Sequence, residues 1–590
     1  MWEPGDADHR RLGAWSFVRR GDEIADIRLG DAPVLRAVRA VIRDRDWNTP
    51  ELVVEQIEQT ATTLTLRVRS RGHGSSFAGT VQIAVAADGP DEVLVVRCDL
   101  GTADAFDTNR TGLVVLHHPT LAGAALTVTH SDGSTERTAF PRAISPHQPV
   151  VDIEGLAWMH AGLAIDVRFE GDVFEMEDQR NWTDASFKTY SRPLSLPFPV
   201  ALEAGARIVQ AVTVSVRAAA PPPVAEPLAT PVENVALITA GPFPEIALGA
   251  ATAPGPPPDA DDEAAPLTVL VELDLGWPGW PAALERAARP GTRLDVRLLL
   301  PSAPDARAAT ADALDRAVAA LAHRDVVRLG AFWGDGEAAH VADREATSLL
   351  RAALARAGKP LATASVIGGV RTHFTQLNRE RRRVDDTTDG IAFSVTPLFH
   401  STETAQLVES LAIQRLVSSQ AVVLAAGAPV HIGPITLRPR VNDVATTPPA
   451  RPATDDVSGG YGAALIAPAD ERQRSEELAA WMIASAAALA VPGVASLTFF
   501  EEWGPRGIRD ENAVAYPVAG AVRALAELAG RTLLYGGSRD GLLWVVGAID
   551  DGAATLLAAN LGDTDRTLTV HGGLDRTLSV PAGTWVRSAP

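Results

Sequence analysis

One cysteine, Cys98, stands among 590 residues. An intramolecular disulfide is therefore excluded, and a thiolate metal site lacks its ligands. Positive charge is also short: 53 Lys plus Arg face 73 Asp plus Glu, a net charge of −20. A surface of that sign repels phosphate backbones and anionic headgroups, so neither nucleic acid nor a membrane is expected as a partner. Met1-Trp2-Glu3-Pro4-Gly5-Asp6 shows no basic stretch followed by an apolar one, so no secretory leader is read there. No run approaches the roughly 18 uninterrupted apolar residues of a spanning helix. The Ala-rich stretch 481–492 is too short for one. The expected location is the cytoplasm.

Familiar catalytic signatures are missing as well. Gly536-Gly537-Ser538-Arg539-Asp540 lacks the last glycine of a nucleophile elbow. His-Glu-x-x-His and His-x-His do not occur, and the adjacent His117 and His118 point to opposite sides of a strand. No Gly-x-Gly-x-x-Gly follows a first strand, and no Walker motif is present. The expected chemistry uses no metal and no cofactor.

What is present is an ordinary globular composition, 46% hydrophobic and 21% charged. Single cores stop growing at about 250–300 residues, so several domains are expected. Residues 1–217 show short apolar or alternating runs at 64–68, 79–85, 92–98, 112–116, 126–129, 163–169 and 208–216, separated by turn signals. This predicts an antiparallel β-sandwich-like domain. Residues 218–232, with Pro221-Pro222-Pro223, read as a linker. Over 233–530 strand-like runs alternate with Ala/Leu/Arg helical patterns. The strands are expected at 246–251, 268–273, 293–299, 326–332, 362–370, 391–396, 430–437 and 494–500. Eight such units over this length predict a (β/α)8 TIM barrel. Helices are expected at 281–289, 308–322, 342–357, 403–417 and 470–489, and the prolines at 254–258 predict a stunted or missing first helix. Residues 531–590 return to short strands, a small C-terminal β-sandwich.

Function in a barrel gathers at the C-terminal ends of its strands. Here those ends carry Asn378, Arg379 and Glu380 after strand five, His400 after strand six, Arg438 and Arg440 after strand seven, and Glu501 after strand eight. Two phenylalanines before Glu501 would set it against low-dielectric walls. A second dense segment, Phe174-Glu175-Met176-Glu177-Asp178-Gln179-Arg180-Asn181-Trp182-Thr183-Asp184-Ala185-Ser186-Phe187-Lys188-Thr189-Tyr190, fits neither period 2 nor 3.6. It reads as an ordered loop over the barrel mouth. Its aromatic faces, carboxylates, amides and cations suit a polyhydroxylated ligand.

That segment resembles the D-apionate lactonases of bacterial apiose catabolism. Phe140-Pro141-Arg142, Ser145-Pro146-His147-Gln148-Pro149, Phe374-Thr375-Gln376-Leu377-Asn378-Arg379, His400 and Thr436-Leu437-Arg438-Pro439-Arg440 extend the resemblance along the chain. The departures are Gln376, where the resemblance leads to an expectation of Glu, and the stunted first helix. The resemblance implies the same three-part architecture and the opening of D-apionolactone to D-apionate. The partner is then a small sugar lactone, and a homo-oligomer stays open.

On the residues' own chemistry, Glu501 is the first candidate to activate water, with Glu177 and Asp178 next. Arg438, Arg440, Asn378 and His400 are candidate donors to the oxyanion. Arg180, Asn181, Trp182, Asp184, Lys188, Arg379 and Glu380 complete the expected substrate contacts. The alternative is a TIM-barrel glycoside hydrolase using a carboxylate pair such as Glu380 with Glu501.

Overall fold

The computed structural model describes residues 8–218, 233–258, 268–301, 307–358, 361, 363–445, 447, 451–466, 469–571 and 576–588. The expected linker 218–232 lies outside this set except for Ala218, as does the acidic run 259–263.

The N-terminal part is two nine-stranded sheets packed face to face. Trp15, Phe17, Phe77, Leu94, Phe174 and Phe187 fill the space between them. Period-2 alternation decides what the first sheet shows on its other side. In the strand Ala32–Asp44, Val38, Ala40 and Ile42 enter the sandwich core. Arg39, Val41 and Arg43 consequently face away from it. In the paired strand Phe106–His117, Leu113 and Val115 point in, and Arg110, Gly112 and Val114 point out. That outward face lies against the barrel and is not open to solvent.

The barrel has eight parallel strands: Glu245–Gly249, Thr268–Asp274, Arg293–Leu300, Asp325–Trp333, Ser365–His373, Gly390–Val395, Val430–Ile435 and Val494–Glu501. Pairing of Arg328 with Ser365 and Leu329 with Val366 closes the cylinder. All eight coincide with the expected runs to within a few residues. Strands buried on both sides read as continuous apolar stretches, and Val430–Ile435 is buried at every position. Among the described residues, 250–258 hold no helix, as the prolines require. The fifth strand bends at Gly369, whose φ is +94° and where a Cβ would lie 2.3 Å from the Ala392 carbonyl oxygen. Only glycine fits there. Beyond the bend the strand runs to His373 and hands over to the helix Phe374–Arg379.

Two local expectations are corrected. Residues 233–242 do not begin the barrel. Glu233–Ala236 pairs with Arg566–His571, and Ile238–Pro242 pairs with Thr532–Gly537, so they complete the two C-terminal sheets. The helix expected to stop at 417 continues, spanning Thr404–Ala425. It is long and apolar enough by composition to cross a membrane. In the fold it packs on the helix Glu476–Leu489, which is buried along almost its whole length. The C-terminal sheet rests on the same helix, with Arg415 between the rings of Tyr535 and Trp544.

Candidate active site

The segment 174–190 is a hairpin and not a loop. Phe174–Glu177 and Phe187–Ser191 are paired strands joined by a 3-10 turn at Gln179–Trp182. Phe174, Met176 and Phe187 enter the sandwich core, which turns Glu177 and Lys188 outward. The polar face looked aperiodic because it too is buried, against the barrel.

The hairpin tip docks on the ends of barrel strands five and six. Asn378 Nδ2 donates to Asn181 Oδ1 at 2.9 Å and to the Ile144 carbonyl at 3.1 Å. Asp178 is fully buried; both its oxygens accept from Arg180 at 2.7 Å, and one also accepts from the Ser145 N–H. Arg180 further donates to the carbonyls of Pro141, Arg142 and Ala143 and stacks on Phe187. Asp178, Arg180, Asn181 and Asn378 are thus committed to holding the joint, with no group left for a substrate.

Between the outward face of the first sheet, the hairpin and the barrel lies a cavity of ≈ 470 Å³. Its barrel side carries Arg379, Phe399, His400 and Gln406. His400 Nδ1 sits 2.7 Å from Asp184 Oδ2, and Asp184 Oδ1 accepts from Gln406 Nε2 at 2.9 Å. Trp182 stacks on Phe399 at 4.4 Å, and both rings meet His400 edge to face. Burial lowers the His400 pKa, with Asp184 pulling the other way. The ring is therefore neutral at neutral pH. With Nδ1 donating to Asp184, Nε2 keeps a free lone pair. That is the state a general base needs.

Glu177 shares this cavity. Lys188 and Arg379 ion-pair with it, and Trp182 Nε1 donates to it at 3.0 Å. Burial works against its charge, yet Lys188 and then Arg379 outweigh that and hold its carboxyl well below the usual range. A carboxylate so firmly ionised is a weak proton acceptor; its evident work is to fix the two cations and Trp182.

The barrel-strand ends form a second, smaller cavity of ≈ 120 Å³. Glu272 crosses it, bridging Arg371 at 3.1 Å and Arg440 at 2.6 Å. Glu501 lies on its wall, but its oxygens accept from the Thr252 N–H at 3.0 Å, the Thr252 hydroxyl at 2.8 Å and Arg506 at 3.1 Å. Phe500 has φ +51°, a left-handed conformation costly for a bulky residue, and the register with the first strand slips there. The bulge buries both following glutamates. Glu502 pairs with Arg289; burial is the larger influence and pushes its carboxyl up to about 7. Arg438 pairs with Asp470, and Glu380 with Arg383; neither lines either of these two cavities. The structure therefore brings Glu177, Trp182, Asp184, Lys188, Arg379 and His400 together and sets Glu501 and Arg440 apart from them.

Sequence reading missed the floor of the larger cavity: Arg36, Arg39, Arg43, Trp47 and Arg110. The available signal was the run Arg36-Ala37-Val38-Arg39-Ala40-Val41-Ile42-Arg43, whose arginines are separated by two and three apolar residues. It looks like a solvated sheet face, and only docking of the barrel turns it into a wall. Among the described residues, no three His, Cys, Asp or Glu side chains gather as a metal ion requires.

A neutral histidine oriented by a buried carboxylate, in a cavity rich in cations, has the parts of a hydrolase that attacks a carbonyl with water. Comparison with known sequences agrees. Residues 3–219 match the family described as D-apionate lactonase, N-terminal domain, and residues 257–530 match D-apionate lactonase, TIM barrel domain. The chain belongs to the D-apionate lactonase family, whose members are lactone hydrolases of sugar catabolism. A D-apionate lactonase of Brucella anthropi is 27% identical over 552 residues, 89% of this chain and 88% of that one. Among solved structures, a GH30 endoxylanase from Clostridium papyrosolvens overlaps 60% of this chain and 98% of its own, at 11% identity and TM-score 0.39. A beta-arabinopyranosidase overlaps 98% of this chain and 97% of its own, at 11% identity and TM-score 0.28. Overlaps that loose add nothing to the reading of the site.

Proposed function

We propose that this enzyme opens D-apionolactone to D-apionate in the cytoplasmic breakdown of apiose, without a metal ion, and that the larger cavity is where it does so. The observation that carries this reading is the 2.7 Å contact between His400 and Asp184 on the cavity wall. His400 Nε2 takes a proton from water as the water oxygen attacks the lactone carbonyl. Asp184 offsets the imidazolium charge that results. The carbonyl oxygen becomes an anion in a cavity whose lining holds six Arg or Lys side chains against three carboxylates. Collapse of the tetrahedral intermediate breaks the bond to the ring oxygen, and the imidazolium returns its proton to that leaving oxygen. The ring-opened acid ionises. Trp182 and Phe399 supply flat apolar surface for the sugar ring.

Glycoside cleavage needs two carboxyls across one bond, about 5–10 Å apart. Glu380 and Glu501 line no common cavity. The test is a pH-indicator assay of D-apionolactone and other aldonolactones beside a panel of nitrophenyl glycosides, with chelator present. Acid release from lactones and no nitrophenol is expected. Nitrophenol release without lactone opening would overturn the reading.

A further inference from the structure

The six cations of the larger cavity are not equivalent. Arg36 pairs with Glu409 and Glu23, Arg39 with Asp22, and Lys188 and Arg379 with Glu177. Arg43 and Arg110 have no carboxylate within ion-pair distance among the described residues. Arg43 donates to the Trp47 carbonyl at 3.2 Å and to the Thr49 hydroxyl. Arg110 donates to the carbonyls of Asn109 and Pro193, and its Nε has no partner. Neutral acceptors of this kind orient a guanidinium and leave its charge in place.

The two arginines are also direct cross-strand partners, Arg43 opposite Arg110. Like charges facing each other across a sheet destabilise it, and more so away from water. Burial is the largest influence on both, lowering Arg43 to about 10 and Arg110 in the same direction. Trp47 and Phe198 wall the pair, with the Arg110 guanidinium 5.5 and 5.3 Å from their ring centres. Two oriented, unneutralised forks on one cavity floor, Arg110 buried and Arg43 partly so, are an arrangement that an anion completes.

We propose that Arg43 and Arg110 form an anion subsite that holds a carboxylate, that of the sugar acid which ring opening produces. The assignment of the acid rests on the lactonase reading above; the anion site itself does not. Because the product carboxylate contains the former carbonyl oxygen, the same pair meets that oxygen as its charge develops. The product then inhibits competitively, and inorganic phosphate competes for the same place.

The experiment is calorimetric titration of the full chain with D-apionate, with inorganic phosphate, and with the neutral polyol in which the carboxylate is replaced by a hydroxymethyl group. Wild type, Arg43→Met and Arg110→Met are compared, with a thermal melt of each. Each substitution is expected to weaken D-apionate and phosphate by about 10-fold or more and to leave the polyol within about 2-fold. Should a methionine variant not fold, Val41→Glu tests the same point. It sets a carboxylate on the cavity floor two residues from Arg43, and should weaken both anions equally. Equal anion affinity in wild type and variants, or equal losses for anion and polyol, would overturn the subsite. Arginine-dependent anion binding without any lactone opening would instead sink the proposed reaction and leave the subsite standing.

Discussion

Replacing Asp184 by Asn keeps the side chain's size and an oxygen able to accept from His400 Nδ1, while removing a negative charge 2.7 Å away. Two consequences follow, with distinct signatures. In the wild type burial holds His400 below 6.5, and Asp184 is the chief influence opposing it. A carboxylate at contact raises a neighbouring pKa by about one to three pH units. Turnover requires neutral His400, so kcat/KM rises with pH through the His400 pKa. That acidic limb lies below pH 6.5 in the wild type and shifts further to lower pH in Asp184→Asn, because the carboxylate that opposes burial is gone. The plateau falls at the same time. The imidazolium formed during attack has lost its counter-charge, and an Asn amide turned towards Nδ1 would favour the unproductive tautomer. General-base contributions of about 10²–10⁴-fold set the size of that fall. The assay is initial-rate acid release from D-apionolactone across the acid and neutral range, with a melt to confirm folding. A plateau within about 3-fold of wild type, or a limb that moves to higher pH, would refute the dyad.

Other outcomes follow from the same geometry. Glu501→Gln disturbs the bonds to Thr252 and Arg506, so it should lower Tm and leave kcat within about 10-fold; a loss of about 10²–10⁴-fold at unchanged Tm would place the base at the barrel mouth. Arg180→Met leaves the fully buried Asp178 without its ion-pair partner and should destabilise the chain by about 3–5 kcal/mol in denaturant melts. Glu502 has a folded pKa raised from 4.5 to about 7, so it binds more protons folded than unfolded, and its contribution to stability falls as pH rises between those values. Glu502→Gln should therefore gain stability relative to wild type on going from pH 5 to pH 8, and a constant difference in Tm would contradict the shift.

How much of this was legible in the sequence depends on whether burial is set locally. The barrel strands were, because each is covered on both sides and spells a run such as Val430–Ile435. The return of 233–242 to the C-terminal sheets was not, since pairing between Ile238 and Tyr535 leaves no local mark. The chemistry of 174–190 was readable as a dense polar string, and its meeting with Asn378 and His400 followed from that. Its hairpin form was hidden because the face carrying Glu177 and Lys188 is largely covered, as is the face carrying Met176. Arg39, Arg43 and Arg110 were missed for the same reason. A basic strand looks solvated until another domain covers it. At Glu501 the strand end was foreseen, but the bulge at Phe500 and the division of the strand ends into two cavities depend on contacts from Thr252 and Arg506 that no spacing records.

The most direct test is a pH-stat measurement of acid released from D-apionolactone by wild type and by His400→Asn, side by side at neutral pH. Asn at 400 preserves a hydrogen bond to Asp184 and removes the only group in the dyad that can take a proton from water. The account predicts steady acid release by the wild type and a fall of about 10²–10⁴-fold in kcat for the variant, with Tm little changed. Acid release by His400→Asn at the wild-type rate would contradict it.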